Sequence, residues 1–260
     1  MDCATLGVAH NTAGKCYTGG MAVYKTKLIK KEEVAEGTMA FYFEKPDGFD
    51  FIAGQYVTVS LINPPETDDE GNSRFFSLIT APHESCLGVA TRMRDTAFKR
   101  VLKNLPIGSE IMIAGPDGSF CLRKDASKPA VFLIGGIGIT PVFSILKNAA
   151  YEKLPYQLFL FYSNKRPEDA AFLKELQILE KENKNFKLIA TMTEMENSKQ
   201  AWRGETGFIN KEIIQKHLKD LNSPIYYMSG PPQMVKAMRE LAEKIGASND
   251  NIKFEEFAGY

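Results

Sequence analysis

The sequence has few cysteines, and their spacing excludes the common metal sites. The 260 residues include only four, at positions 3, 16, 86 and 121, with no C-x-x-C pair. No cysteine–histidine cluster has zinc-site spacing, and a plant-type iron–sulfur centre needs cysteines much closer together. We therefore expect no metal site. The scarcity of cysteine also favours the reducing cytoplasm over an oxidising compartment.

Neither charge is in excess, and no long apolar run is present. Lysine and arginine together number 32, as do aspartate and glutamate. The chain therefore lacks the basic surplus that is typical of nucleic-acid binding. No segment approaches the roughly 20 apolar residues that a membrane-spanning helix needs.

The first twenty residues differ in composition from the rest of the chain. They are rich in Gly, Thr and Ala, and they lack the charged start and apolar core of a signal peptide. A β-rich pattern begins at Met21. We expect residues 1–21 to be a disordered or non-native leader, with Met21 as the natural start; a disordered native tail is the alternative.

Short strands and turns dominate residues 22–125. Segments such as MAFYFEK, GQYVTVSLI, LGVATRM and SEIMIAGP are separated by Gly, Pro and Asp, which is typical of an antiparallel β-barrel or sandwich. One helix is expected in DTAFKRVLKNL, with Asp95 or Thr96 as its N-cap. The polar stretch LRKDASKP, residues 122–129, is the expected linker.

Residues 126–260 have the pattern of an α/β domain. Five candidate strands are AVFLIGG, YQLFLFYS, FKLIATMT, PIYYMSG and IKFEEF, and helical segments lie between them. Apolar strands that alternate with helices predict a parallel five-stranded sheet covered on both faces.

The stretch RFFSLIT, which begins at Arg74, looks like a strand but has neither face cleanly apolar. Side chains alternate along a strand, so Arg74 and Phe76 share one face, and Phe75 and Ser77 share the other. Arg74 can pair with a phosphate, Phe76 can lie against a ring system, and Ser77 can donate to a ring nitrogen. A flavin dinucleotide offers all three partners. A core strand with a snorkelling arginine is the alternative.

Two glycine-containing turns follow predicted parallel strands. In LIGGIGITPVFSIL, residues 133–146, Gly135, Gly136 and Gly138 allow a tight turn into a helix whose N-terminus favours a pyrophosphate. MSGPP, residues 228–232, lies at another strand end on the same edge of the sheet, where open α/β sheets bind ligands. Tight packing of strand against helix is the alternative explanation for these glycines.

Charged residues follow the second of these strands, in YSNKRPEDAAF, residues 162–172. Basic residues at this position favour a nucleotide with a 2′-phosphate, so Lys165 and Arg166 lean toward NADPH. Glu168 and Asp169 fit the first turn of the next helix. A solvated cluster of charges is an equally good interpretation.

Together these stretches resemble the ferredoxin–NADP(+) reductase family over about residues 22–260. RFFS is similar to the family's Arg-x-Tyr-Ser flavin motif. RDTAFKRVL resembles its turn and helix at the FAD pyrophosphate, with Thr96 supplying the hydroxyl. GPDGSF, GGIGITP and MSGPP resemble the turn that closes the barrel, the nicotinamide-dinucleotide pyrophosphate loop and the Cys-Gly-Pro-Pro segment beside the nicotinamide. Phe76 replaces the usual tyrosine, and Ser229 replaces the usual cysteine, for which slower hydride transfer is expected.

The resemblance implies an FAD-dependent NAD(P)H oxidoreductase that passes electrons to a separate ferredoxin, flavodoxin or oxygenase component. An electron-transfer subunit of a larger complex, without independent turnover, is the alternative, and the barrel motifs disfavour a flavin-free dehydrogenase. Catalytic roles are implied for Ser77, Ser229 and Glu255. FAD contacts are implied for Arg74, Phe75, Phe76, Ser77, Thr91, Arg92, Met93, Thr96, Phe257 and Tyr260. NAD(P) contacts are implied for Gly135, Gly136, Gly138, Thr140, Pro141, Ser163, Lys165, Arg166, Ser229, Gly230 and Pro231.

The chain ends in KFEEFAGY, which as a strand places Glu255 and Phe257 on one face. The family often ends in a carboxylate followed two residues later by an aromatic. By resemblance, Phe257 covers the flavin face where the nicotinamide docks, and Glu255 lies near the reacting rings. Three more residues follow Phe257, and we expect Tyr260 to be a secondary flavin contact. A core role for Phe257 with a frayed tail is the alternative.

Overall fold

The computed structural model describes residues 21–257 and the backbone of residues 9–10 and 16–18. Strands β1 (Ala9–His10) and β2 (Cys16–Thr18) pair antiparallel with each other, and β2 pairs with the start of the next strand. The rest of the predicted leader, and Tyr260 with its predicted flavin contact, lie outside the described residues.

The first half of the chain forms an antiparallel barrel. Its strands are β3 (Met21–Ala35), β4 (Thr38–Glu44), β5 (Tyr56–Leu61), β6 (Ser73–Ser77), β7 (Cys86–Arg92) and β8 (Glu110–Asp117). They lie in the order β6-β5-β8-β3-β4-β7, and a bridge between Leu78 and Val89 links the two ends of the sheet. Alternate apolar residues fill the interior, and helix α1 (Ala97–Asn104) packs Phe98 and Leu102 into this core. Thr96 is the N-cap of α1, since its hydroxyl accepts from the amide of Lys99.

The second half of the chain is a parallel α/β sheet, which confirms the predicted fold class. The elements are β9 (Ala130–Gly135), α2 (Ile139–Tyr151), β10 (Leu158–Asn164), α3 (Leu173–Glu182), β11 (Phe186–Met192), β12 (Glu205–Thr206), α4 (Lys211–His217), β13 (Ile225–Gly230), α5 (Pro232–Lys244) and β14 (Ile252–Glu256). The strand order is β12-β11-β10-β9-β13-β14, and every pairing is parallel.

The sheet has six strands rather than the predicted five. The additional strand, β12, has two residues and pairs with the end of β11. A strand this short has no alternation that a sequence pattern can show. It is held by neighbouring contacts, because the Thr191 hydroxyl donates to the carbonyl of Gly207 and the Trp202 indole donates to that of Glu205.

Helix α3 starts later than the sequence pattern predicts. Pro167–Asp169 form a separate 3-10 turn, and Phe172 adopts the left-handed conformation with φ of 60° before the helix begins at Leu173. The ring of Phe172 stacks on Phe143 of α2 at 4.3 Å between centroids. This packing offsets the cost of the unusual backbone conformation.

A shared apolar cluster joins the two halves. Ala40, Ile79 and Ala90 from the barrel pack with residues of α2, including Val142. Polar contacts reinforce the junction: the Ser144 hydroxyl donates to the carbonyl of Thr80 at 2.6 Å. Further links are the backbone bond from Glu36 to Glu168 and the ion pair between Lys147 and Glu84. The two halves are therefore packed against each other along β7, β9 and α2.

Candidate functional site at the domain junction

Strand β6 presents its two faces to different surroundings. Phe76 is only 8% exposed and packs against Phe98 in the barrel core, with ring centroids 5.9 Å apart. The guanidinium of Arg74, on the same face, lies over that phenylalanine ring. On the opposite face Phe75 is 71% exposed, whereas Ser77 is buried. The exposed aromatic side chain of this motif is therefore Phe75.

Arg74 is held by the polar loop that precedes its strand. Its Nη2 lies 2.6 Å from a carboxylate oxygen of Asp68, and its Nε lies 2.9 Å from one of Glu70. Nη1 donates to the carbonyls of Glu70, Gly71 and Ser73. This guanidinium holds the pKa of Asp68 below its ordinary value. A phosphate that binds Arg74 therefore competes with these two carboxylates.

A second basic group stands at the start of α1. Lys99 is more than half buried, and its pKa is lowered by burial and then by the nearby charges of Arg94 and Arg74. Three cations thus lie near the N-terminus of a helix capped by Thr96, where the helix dipole also favours an anion. The arrangement suits a phosphate group.

The end of β7 brings the barrel to the first glycine turn. The Arg92 Nη2 lies 3.9 Å from the point where a Cβ on Gly136 would stand. Gly136 has φ of +52°, which few side chains tolerate, and the turn therefore needs a glycine here. Thr91 is buried beside Arg92, and the Met93 amide donates to the carbonyl of Gly37. The predicted flavin and nucleotide motifs thus meet at this point.

The two glycine turns pack directly on each other. A Cβ on Gly138 would lie 2.4 Å from the carbonyl oxygen of Ser229, so only glycine fits there. Helix α2 follows at once, with Thr140 buried and Pro141 in its first turn. Close packing explains Gly138, and the same packing places Ser229 beside the start of α2.

Ser229 and Glu255 are register partners in adjacent parallel strands, β13 and β14. The Ser229 hydroxyl and one carboxylate oxygen of Glu255 are buried, and neither has a hydrogen-bond partner among the described residues. Burial raises the pKa of Glu255 to about 7. Buried polar atoms without partners are rare and costly, and they mark places where a ligand can satisfy them. A carboxyl with this pKa can hold or release a proton near neutral pH.

Tyr56 connects this pair to strand β6. It lies opposite Ser77 in the β5–β6 pairing, and it lines a cavity of about 320 Å³ together with Phe120 and Glu255. Its ring meets the exposed Phe75 edge-on at 5.7 Å between centroids. The three residues for which catalytic roles were predicted therefore lie around one junction, and Tyr56 is a member of this site that sequence reasoning missed. Its signal was the GQYV segment, which we had read only as a strand.

The chain end lies against the second glycine turn. The Phe257 amide donates to the carbonyl of Gly230 at 3.1 Å, and Pro231 follows as the N-cap of α5. Glu255 and Phe257 are partly buried, whereas Phe254 and Glu256 are exposed, as expected for a strand. Phe257 is thus positioned beside the segment that resembles the family's nicotinamide site.

The end of β10 carries both predicted cations, and each has a carboxylate partner. Lys165 pairs with Glu194 at 3.0 Å, and Arg166 makes two bonds to Asp169, both at 2.9 Å. Ser163 lies opposite Gly135 in the sheet.

Asn164, between Ser163 and Lys165, was also missed by sequence reasoning. It is 5% exposed, and both polar atoms of its amide lack a partner among the described residues. A buried amide at a strand end gives no distinctive sequence signal, because asparagine is common in loops.

Residues 132–240 match the model of the oxidoreductase NAD-binding domain family. Flavohemoprotein of Bacillus subtilis is 26% identical over 246 residues, which are 92% of this chain and 60% of that protein. The reductase component of propane 2-monooxygenase from Rhodococcus jostii is 28% identical over 250 residues, 92% of this chain and 65% of that protein. The chain thus spans about three fifths of the length of these relatives.

The fold also matches solved structures. A ferredoxin NADP+ reductase from Neisseria gonorrhoeae, determined with bound FAD and NADP, superimposes with a TM-score of 0.75 and 19% identity, covering 90% of this chain and 98% of that one. Among the residues that the structure describes, no helix can cross a membrane, and no group of three or more potential ligands can hold a metal ion. Barrel, parallel sheet and ordered motifs together show that the chain belongs to the ferredoxin–NADP(+) reductase-like family of FAD- and NAD-binding oxidoreductases.

Proposed function

We propose that the protein is an FAD-dependent NAD(P)H oxidoreductase that passes electrons to a separate one-electron acceptor. The observation that carries this proposal is the convergence of Ser77, Ser229 and Glu255 on one junction, where two buried polar atoms lack partners. Such a site is incomplete without a ligand that offers hydrogen-bonding groups.

The residues present fit FAD. Its pyrophosphate would be held by the cations near α1 and by the helix N-terminus, with Thr96 at the cap. Arg74 contributes once its contacts with Asp68 and Glu70 are exchanged for phosphate contacts. The exposed ring of Phe75 and the buried hydroxyl of Ser77 lie along the same strand face. They offer an apolar surface and a hydrogen bond to a ring system.

The fit to a nicotinamide nucleotide rests on the two packed glycine turns. The turn before α2 offers free amide groups and the nearby Arg92 guanidinium to a pyrophosphate. Ser229 and Phe257 flank the second turn, where the nicotinamide ring would enter.

In this arrangement the protein positions the reactants and excludes water. FAD, when bound, supplies the conversion of a hydride into single electrons. Ser77 orients the ring nitrogen that it bonds, and Ser229 bonds the nicotinamide side of the site. Glu255 holds a proton within the cavity shared with Tyr56. Phe257 shields the site until a nicotinamide displaces it.

The acceptor is another protein, such as a ferredoxin, a flavodoxin or an oxygenase component. The reductase component of propane 2-monooxygenase, by its name, serves an oxygenase, and it shares this chain's two halves. Because the chain spans only about three fifths of that relative, service within a larger redox complex is a second candidate.

An acceptor screen tests the proposal. The protein is purified, loaded with FAD and passed through gel filtration, and its bound flavin is quantified. Oxidation of NADH and NADPH is then followed with ferredoxin, flavodoxin and ferricyanide. Turnover with a carrier protein supports the proposal, and turnover with ferricyanide alone supports the second candidate. A protein that retains no flavin contradicts both.

A matched pair of variants ties the activity to this site. Ser229→Ala should slow flavin reduction, because the hydroxyl at the second glycine turn is lost. Ser223→Ala changes a serine just before the same strand, distant from the strand end, and it should reduce flavin at the wild-type rate. Equal slowing in both variants would place the effect in β13 rather than in the site.

A further inference from the structure

The charged groups at the end of β10 bear on which nicotinamide nucleotide the site accepts. NADPH differs from NADH by a 2′-phosphate on the adenosine ribose, and in dinucleotide-binding sheets this ribose lies near the end of the second strand. In this protein that strand is β10, which ends at Asn164. The phosphate would therefore meet Lys165 and Arg166.

Arg166 is not available to a phosphate. It is bonded through both Nε and Nη2 to Asp169, and it lies 3.4 Å from Glu36 of the barrel. The Asp169 side chain is only 9% exposed. If Arg166 turned toward a ligand, it would leave this buried carboxylate without its main partner, which is strongly unfavourable. Arg166 therefore joins Asp169 to the barrel and does not read the nucleotide.

Lys165 is held by the neighbouring loop. Its ammonium lies 3.0 Å from a carboxylate oxygen of Glu194. The Glu194 amide donates to the carbonyl of Lys165 at 2.8 Å, and the Thr193 amide donates to that of Asn164. These backbone bonds fix Glu194 beside Lys165, so its negative charge meets any phosphate that approaches this lysine.

The remaining groups at this edge suit an unphosphorylated ribose. Asn164 carries a buried, neutral amide with one donor and one acceptor group free, which matches the hydroxyls of a ribose. Arg92 lies beside Gly136, where the pyrophosphate common to both nucleotides would bind, so it does not distinguish them.

We propose that the protein uses NADH in preference to NADPH, with Glu194 and Asp169 as the residues that set the preference by engaging Lys165 and Arg166. This inference rests on the proposed function, because it concerns the nucleotide that reduces the flavin. It replaces the preference for NADPH that the two cations suggest when the sequence is read alone.

The test compares kcat/KM for flavin reduction by the two nucleotides in FAD-loaded protein. The value for NADH should exceed that for NADPH by about tenfold or more. Equal values, or a preference for NADPH, overturn the inference and assign phosphate recognition to another cation, such as the exposed Lys199. Failure of both nucleotides to reduce the flavin contradicts the proposed function instead.

Two variants separate Glu194 from its surroundings. Glu194→Gln removes the charge that engages Lys165, so kcat/KM for NADPH should rise several-fold while that for NADH stays the same. Glu196→Gln is the matched control, because Glu196 lies in the same turn but is exposed and forms no ion pair within the described chain. If the two variants give the same nucleotide ratio as the wild type, Glu194 does not set the preference.

Discussion

Replacing Glu255 by glutamine tests whether this carboxyl is buried and protonated near neutral pH. Its pKa rises from 4.5 to about 7 because burial disfavours the charged form, and one oxygen has no partner among the described residues. The folded protein therefore binds this proton more tightly than the unfolded chain does. The penalty for ionising Glu255 is absent below pH 4.5, grows between 4.5 and 7, and is complete above 7.

The size of the penalty follows from the pKa values. Each tenfold change in proton affinity corresponds to about 1.4 kcal/mol, so ionised Glu255 costs the folded state about 3 kcal/mol at about pH 8. At about pH 5 the cost is only about 1 kcal/mol. Glu255→Gln carries no charge at either pH. The variant should therefore gain about 2 kcal/mol relative to the wild type between these two pH values.

Urea unfolding at both pH values, with the same saturating FAD concentration, measures this difference. Glu256→Gln is the matched control, because this carboxylate is next in the chain but exposed on the opposite face. The control should follow the pH dependence of the wild type. Parallel pH profiles for Glu255→Gln and the wild type would refute the reasoning, since they would show that Glu255 titrates alike in the folded and unfolded states.

Three other predictions concern the flavin site. Ser77→Ala should retain FAD but slow flavin reduction by about 100-fold, because the hydroxyl aligns the reacting atoms; an unchanged stopped-flow rate, equal to that of a Ser73→Ala control, would eliminate the role. Arg74→Ala should lower flavin retention after gel filtration, because a charge-assisted phosphate contact is lost, and equal flavin content would count against it. Phe257→Ser should tighten NAD(P)⁺ binding and strengthen its charge-transfer band with reduced flavin, because no ring must be displaced. If only Tyr260→Ser changes these two properties, the gate is Tyr260.

The order of strands and helices could be predicted from sequence because each element has a clear period or boundary. The barrel strands alternate, α1 has its cap at Thr96, and apolar strands alternate with helices after residue 129. Strand β12 could not be predicted, because its two residues are placed by contacts from Thr191 and Trp202. Helix α3 was placed too early because the left-handed Phe172 depends on packing against Phe143.

The candidate site could be predicted in outline but not in its electrostatics. Resemblance to the family identified Ser77, Ser229 and Glu255, and the structure brings these residues to one junction. Sequence cannot show that a cation already has a partner. Lys165 is neutralised by Glu194, a residue 29 positions later that reaches it only because β10 and β11 are paired.

Anaerobic titration of the FAD-loaded protein with NADH tests the central proposal most directly. If the protein is an NAD(P)H-oxidising flavoenzyme, one equivalent of NADH should bleach the flavin of one chain, and a one-electron acceptor added afterwards should restore its colour after taking up two electrons. A protein that binds no FAD, or a bound flavin that stays oxidised with both NADH and NADPH in excess, would contradict the account.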